Sequence, residues 1–318
     1  MRLPPQAKLQ VALATVVASG LAWGCGVTEP ADASAVIEAR DLARETAARV
    51  DAVLAAPDWD GLVGLLAQDH ALTRELIGPH RLRYRAEIET GPVGLAPSET
   101  PPDPRVGDPI VERFAVTDEL ELVWGSQPGQ GPRLSLDQHN EHGFGRQLIV
   151  IDERVWSNLD ERGWLERPVE SEVWQLWADD AQHAVLDLVE LAGPHAELDA
   201  VEASDDAIHV SLRPADRRYG ERVVEAPTPW RRDAEVDVLH ATIDLDRATG
   251  LWRRAAIELH WRFEDSAGRE LEGHASFEAS LEPLDPPPAI APPSVSRPLP
   301  ERERPMLLRE RMLDGLAP

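Results

Sequence analysis

A chain of 318 residues with 42% hydrophobic side chains is long enough to bury one sizeable core, which excludes a wholly disordered protein. Its 57 acidic against 32 basic side chains leave a formal charge of −25, which argues against a nucleic-acid or anionic-membrane partner, since either needs clustered basic residues. A single cysteine excludes an internal disulfide and a cysteine-rich metal site.

The chain starts with Arg2 and Lys8, its sole lysine, followed by an almost unbroken apolar run from Leu9 to Trp23 and then Gly24-Cys25. A basic start, a short apolar stretch and small residues before a cut are the parts of a secretory signal. As a helix, the 16 residues from Leu9 to Gly24 extend only ~24 Å against a hydrocarbon layer of ~30 Å, so cleavage is expected rather than spanning. Cleavage after residue 24 removes two basic and no acidic residues, so the net charge moves from −25 to −27.

The segment Leu21-Ala22-Trp23-Gly24-Cys25 resembles a bacterial lipobox, in which signal peptidase II cuts before a cysteine diacylated on sulfur. Gly24 fits the small residue before the cut, whereas Trp23 and Ala22 depart from the usual pattern. A signal peptidase I cut at the same bond, on Ala22-x-Gly24, is the alternative, and it leaves an exported thiol with no partner. The resemblance implies lipid attachment (palmitate) at Cys25 and a chain exported to the bacterial envelope, anchored to the outer membrane and facing the periplasm. Each buried acyl methylene contributes ~0.8 kcal/mol to such an anchor.

Residues 25–33 read as a tether. From Ser34 the apolar period becomes helical, with Val36, Ala39, Ala43, Ala47, Val50 and Leu54 at three- and four-residue steps up to Ala56-Pro57. A second helix, capped by Asp58 or Asp60, carries Leu62, Leu65, Leu66, Leu72 and Leu76 and stops at Gly78-Pro79. The period then falls to two: Leu82, Tyr84, Ala86 and Ile88 alternate with charged residues, as in a strand wet on one face. Prolines 92, 97, 101, 102, 104 and 109 make Thr90 to Pro109 a long loop. Strands are expected near 112–124, 132–138, 146–151, 154–158 and 162–167.

A helix with a broad apolar stripe is expected from Glu172 to Ala192, capped by Ser171 and stopped by Gly193-Pro194. Three further runs alternate with period two: Leu239 to Leu245, Ile257 to Phe263, and Leu271 to Leu281. The short turns between them force antiparallel neighbours. Residues 285–305 form a proline-rich linker, and 306–318 a short tail with Leu308, Met312 and Leu316 aligned on one helical face.

These elements predict one α+β domain over residues 34–284. Its core is a strongly curved antiparallel β-sheet, an unclosed barrel of about ten strands, with three helices covering its concave face. In element order, and in the lipobox-like segment, the chain resembles the periplasmic lipoprotein carrier and receptor superfamily of the Lol type. That resemblance implies a non-catalytic, lipid-anchored protein that binds an acyl chain, a lipoprotein or another hydrophobic ligand between sheet and helices. Trp124, Trp156, Trp164, Trp174, Trp177 and Trp261 are the candidate lining, interleaved with small residues such as Ala86, Gly273 and Ala275. Small residues opposite large ones equally let helices pack closely, so the alternative is an envelope scaffold or interaction module with a filled core.

Chemical motifs are sparse. The cluster from Asp137 to His142 matches no established metal spacing and, with Gly143-Phe144-Gly145 behind it, reads as a polar hairpin tip. There is no G-x-S-x-G, phosphate-cradling glycine loop or H-E-x-x-H. No catalytic residue, metal or cofactor is assigned, and no nucleic-acid partner is expected. Asp179-Asp180 and Asp205-Asp206 read as solvated carboxylates, and His183 as a surface or rim residue. Without an evident basic cluster, a lipid would be held by its apolar part.

Overall fold

In the computed structural model the described residues are 33–96, 112–127, 130–143, 145–159, 162–167, 173–223, 230–265 and 268–299. The signal segment, Cys25, Ser171, most of the tether and of the first proline-rich loop, and the C-terminal tail lie outside them.

The helix α1 (Ala33–Ala55) leads into α2 (Trp59–Leu66) and α3 (His70–Ile77). The second predicted helix is therefore two, because Asp69 opens a fresh cap. Its carboxylate accepts the Leu72 N–H at 2.7 Å, as Asp58 accepts that of Gly61 at 2.7 Å. Gly78, at φ 65, ends α3 in a conformation that a side chain would strain.

Then come β1 (His80–Pro92), β2 (Phe114–Trp124), β3 (Arg133–Asn140), β4 (Gly145–Ile151), β5 (Arg154–Leu159) and β6 (Leu165–Arg167). The helices α4 (Val173–Gln182) and α5 (Ala184–Ala192) replace the single predicted one, because His183, at φ −88 and ψ 4, breaks the helical run. After them follow β7 (Ala196–Ala203), β8 (Ala207–Pro214), the short α6 (Trp230–Asp233), β9 (Glu235–Asp246), β10 (Trp252–Glu264), β11 (Glu270–Pro283) and the two-residue β12 (Arg297–Pro298).

All twelve strands form one unclosed, strongly curved sheet in the order β12-β6-β5-β4-β3-β2-β1-β11-β10-β9-β8-β7. Twelve strands and six α-helices among the described residues correct the expected counts of about ten and three. The strands not expected are β7, β8 and the two-residue β12. In β8, Ile208, Val210 and Leu212 do alternate and are buried, so that strand was legible. Its partner β7 is acidic and carries a register shift between Leu198 and Ala200, which hides its period.

The strand order dictates where the helices go. β6 lies next to one edge of the sheet and β7 forms the other, so the connection through α4 and α5 must traverse the sheet. It does so over the face bearing Leu82, Leu122, Leu136, Leu148, Ile243, Leu259 and Phe277, all at most 3% exposed. The outward face carries much of the charge in cross-strand pairs such as Arg83–Glu121, Arg85–Glu119 and Arg113–Glu272.

One detail corrects an expected face. Val236 and Val238 are buried together with Ala241, Ile243 and Leu245, but Leu239 is 57% exposed. The register shift opposite Glu258/Leu259 inserts one residue there and restores the phase beyond it. Residues 285–299 also lie against the sheet. Leu284 N–H bonds to Pro79 O at 2.8 Å, a side chain at Gly125 would meet Ile290 at 3.2 Å, and Arg297 N–H bonds to Trp164 O at 3.1 Å. From Ile290 to Arg297, seven steps of ~3.1 Å give ~22 Å, enough to cross the four strand spacings of ~4.8 Å between β2 and β6. This strap runs along the outward side, where Val123 and Trp156 are buried at 6% and 3%.

Candidate functional site

The candidate side chains sit where the helices meet the apolar face of the sheet. On β1 to β4, the period of two turns Tyr84, Asp118, Gln138 and Arg146 toward α4. Tyr84 Oη donates to Asp118 Oδ2 at 3.0 Å, and Gln138 Nε2 reaches the same oxygen at 2.7 Å. Arg146 Nε donates to Gln138 Oε1 at 2.6 Å, while its Nη1 lies 3.4 Å from Asp180 Oδ2 on α4. The Arg146 guanidinium also stacks on Trp177, 5.1 Å from the ring centroid. The result is a carboxyl–amide–guanidinium–carboxylate chain tying α4 to the sheet. Burial raises the Asp118 carboxyl to about 6 despite the bonds from Gln138 and Tyr84, and burial raises the Tyr84 phenol well above its usual value.

A second group lies between α3, α4 and the ends of β1 and β2. The His70 and His80 rings are 5.2 Å apart, and His70 stands edge-on to Trp124 at 5.4 Å. Trp124 stacks on Trp174 at 6.5 Å, and the Arg74 guanidinium lies 5.4 Å and 6.0 Å from these two indoles. Asp179 accepts the His70 backbone N–H at 3.1 Å. His80 Nδ1 is 2.7 Å from Gly78 O; since a carbonyl only accepts, Nδ1 carries the proton and Nε2 presents a lone pair. Nε2 of His70 and of His80 are both buried without a partner. Burial lowers His80 to about 4 and His70 well below the usual histidine value.

Of the six candidate tryptophans, Trp124, Trp174, Trp177 and Trp261 belong to the buried core, but not to one lining. Trp261 lies across the sheet, against Trp230 at 6.0 Å. Trp156 is a correction: Val155 points to the core, so its neighbour takes the outward face, where Arg154 stacks on it at 4.8 Å. Trp164 is half-buried beside the strap. Asp179 and Asp180 are the second correction, since the side chain of Asp180 is only 7% exposed. His183 is half-buried, with its Nε2 sealed from solvent. The Asp137 to His142 run closes the β3–β4 hairpin, with the Glu141 carboxylate accepting the Thr117 N–H at 2.7 Å.

Arg146, His70 and His80 carry no role in the sequence analysis, and Gln138 stands there only within the polar hairpin tip, whereas the structure buries it at 8% exposed. A signal existed for two of them: Gln138 and Arg146 continue the inward phase of Leu134-Leu136 and Leu148-Val150, where a polar residue must find partners. An open groove of about 580 Å³ lies over the sheet beside Arg83, Arg85, Glu119, Asp137 and Glu278. Another, of about 500 Å³, lies beside Trp59, Glu190 and Arg222.

The buried groups set a pH response. A histidine whose folded value is lowered stabilises fully above its unfolded value of 6.5, and that contribution is lost as pH falls from there toward about 4. A carboxyl raised to about 6 costs stability above that pH and is relieved as pH falls toward 3.8. For fully buried His80 the loss is about 3 kcal/mol, and half-buried Asp118 offsets it in part. Asp118→Asn is therefore expected to lose more stability between pH 7 and pH 4.5 than the parent, and His80→Gln less. Urea midpoints at the two pH values check this; equal losses in all three proteins contradict it.

No family model matches the chain, and no curated protein is similar to it in sequence. Among solved structures, one of lipovitellin, described for its lipid–protein interactions, is similar at a TM-score of 0.27 and 9% identity, covering 68% of this chain and 26% of that one. The chain thus spans about a quarter of the lipovitellin chain, and a likeness this slight assigns neither fold nor function.

Proposed function

We propose that this chain is a non-catalytic envelope lipoprotein, anchored through Cys25, that takes the apolar part of an amphiphile between its helices and the concave face of its half-barrel, in the manner of Lol-type carriers and receptors. One observation carries the binding part. Among the described residues, seven side chains where helices and sheet meet, Gln68, His70, His80, Gln182, His183, Trp230 and Trp261, have buried polar atoms without partners. Such atoms are rare in a finished core, because each costs about 1–3 kcal/mol. A helix layer that separates from the sheet to admit a guest with polar atoms relieves that cost.

A filled core favours the second reading, an envelope scaffold or interaction module. Trp177, Trp252 and Trp261 are at most 2% exposed and occupy the interface themselves. Native mass spectrometry after gentle detergent extraction separates the two: a co-purifying lipid is expected, and ligand-free protein at full occupancy overturns the carrier reading. For the anchor, palmitate label is expected on the parent and absent from Cys25→Ala; label that persists in the variant overturns it.

A further inference from the structure

We infer that the group of Arg74, His70, His80, Trp124 and Trp174 is the seat of the head of a long-chain carboxylic acid. This inference rests on the carrier reading above and narrows it to one class of amphiphile. Arg74 lies one helical turn beyond His70 on α3, so both project from the same face. The Arg74 guanidinium is held over the indoles of Trp124 and Trp174 and makes no ion pair among the described residues. His70 and His80 are 2% and 0% exposed, and each turns an unpartnered Nε2 into the protein interior.

Together these groups match a carboxylic acid better than other heads. The acid's O–H donates to the lone pair on His80 Nε2, and its second oxygen accepts from Arg74. If the ligand arrives as a carboxylate, it takes one proton from the acid form of the buffer, whose conjugate base stays in solution, and the O–H bond so formed is the one that donates to His80 Nε2. A phosphate would bring up to two negative charges to a single guanidinium, with the Asp69 and Asp179 carboxylates close to His70 from α3 and α4. Asp180 is engaged by Arg146, and His183 follows Asp179 by one turn of α4. A neutral alcohol would leave Arg74 unused. The two stacked indoles provide flat apolar walls for the first methylenes of the chain.

The test incubates the detergent-extracted full chain with equimolar palmitic acid and hexadecanol and counts adducts by native mass spectrometry, with acetate as a separate probe. The acid is expected to be retained at least about tenfold over the alcohol, as a charge-assisted hydrogen bond supplies. Arg74→Gln is expected to bring that ratio near one, and Arg74→Lys to restore part of it. A cooperative urea transition like that of the parent shows that Arg74→Gln is folded. Equal retention of acid and alcohol by the parent, or a preference that survives Arg74→Gln, overturns the inference and leaves the carrier reading standing. Acetate bound as well as palmitic acid overturns the long-chain assignment. Retention of neither long-chain probe overturns the carrier reading as well.

Discussion

Arg146→Met is expected to destabilise the protein by about 3–5 kcal/mol, because it leaves a buried carboxylate without its cation. The side chains of Arg146 and Asp180 are 4% and 7% exposed, so water does not replace the lost partner. Gln138 Oε1 loses its donor in the same step. The double variant Arg146→Met/Asp180→Leu is expected to recover most of the loss, since removing both charges also removes their desolvation cost. Urea unfolding of the two single variants and the double variant measures this directly. Additive losses would show that the pair does not act as a unit. Amide exchange over residues 173–182 gives a second readout, because Arg146–Asp180 is a charged tie from α4 to the sheet and its removal is expected to speed exchange in that helix.

Gly273→Ala is expected to cost about 2–3 kcal/mol, a large effect for one methyl group. Gly273 on β11 pairs directly with Trp261 on β10, and a Cβ built there would come within 2.2 Å of the indole. The indole cannot retreat, because it is fully buried and packed on Trp230, which also stacks on Phe263 at 5.0 Å. A domain of this size is expected to lose about 5–10 °C in its unfolding midpoint, measured by a thermal scan. Trp261→Phe in the same background is expected to recover part of that loss by freeing the volume the methyl group needs. A midpoint within 1–2 °C of the parent, on the order of a neutral surface change, would contradict the close packing.

The parts of this fold that were legible in the sequence are those where one physical rule acts alone. The meander β9–β10–β11 alternates because one face is wet and the other buried, and the inward residues Ile257, Leu259, Phe277 and Leu281 were assigned correctly. Leu239 was misplaced because a bulge depends on the partner strand, which the local pattern does not encode. The single helix expected at 172–192 had an unbroken apolar stripe; nothing in that stripe marks the break at His183.

The site was less legible because its members are polar and far apart in the chain. Asp179-Asp180 looks like any solvated pair in so acidic a protein, and only the strand order brings β4 under α4 to bury it. His70 and His80 flank the Gly78-Pro79 turn, and the tertiary fold puts Trp124 beside them. Among the tryptophans, composition named the large residues, but the face each one takes followed from register, as Trp156 beside Val155 makes plain.

The central position of β1 has a consequence for how the chain acquires its shape. Its partner on one side is β2, but on the other it is β11, through contacts such as Thr90 Oγ1 to Glu272 O, which join residues 182 apart in sequence. β1 therefore emerges early in synthesis, yet its second edge stays unpaired until almost the whole domain is available. The cost of closing so large a loop falls on a seam in the middle of the sheet, so folding is expected to be slow and to complete only after β11 arrives. Until then two long strand edges are open at once, and these are the surfaces on which an unfinished chain would pair with a neighbour.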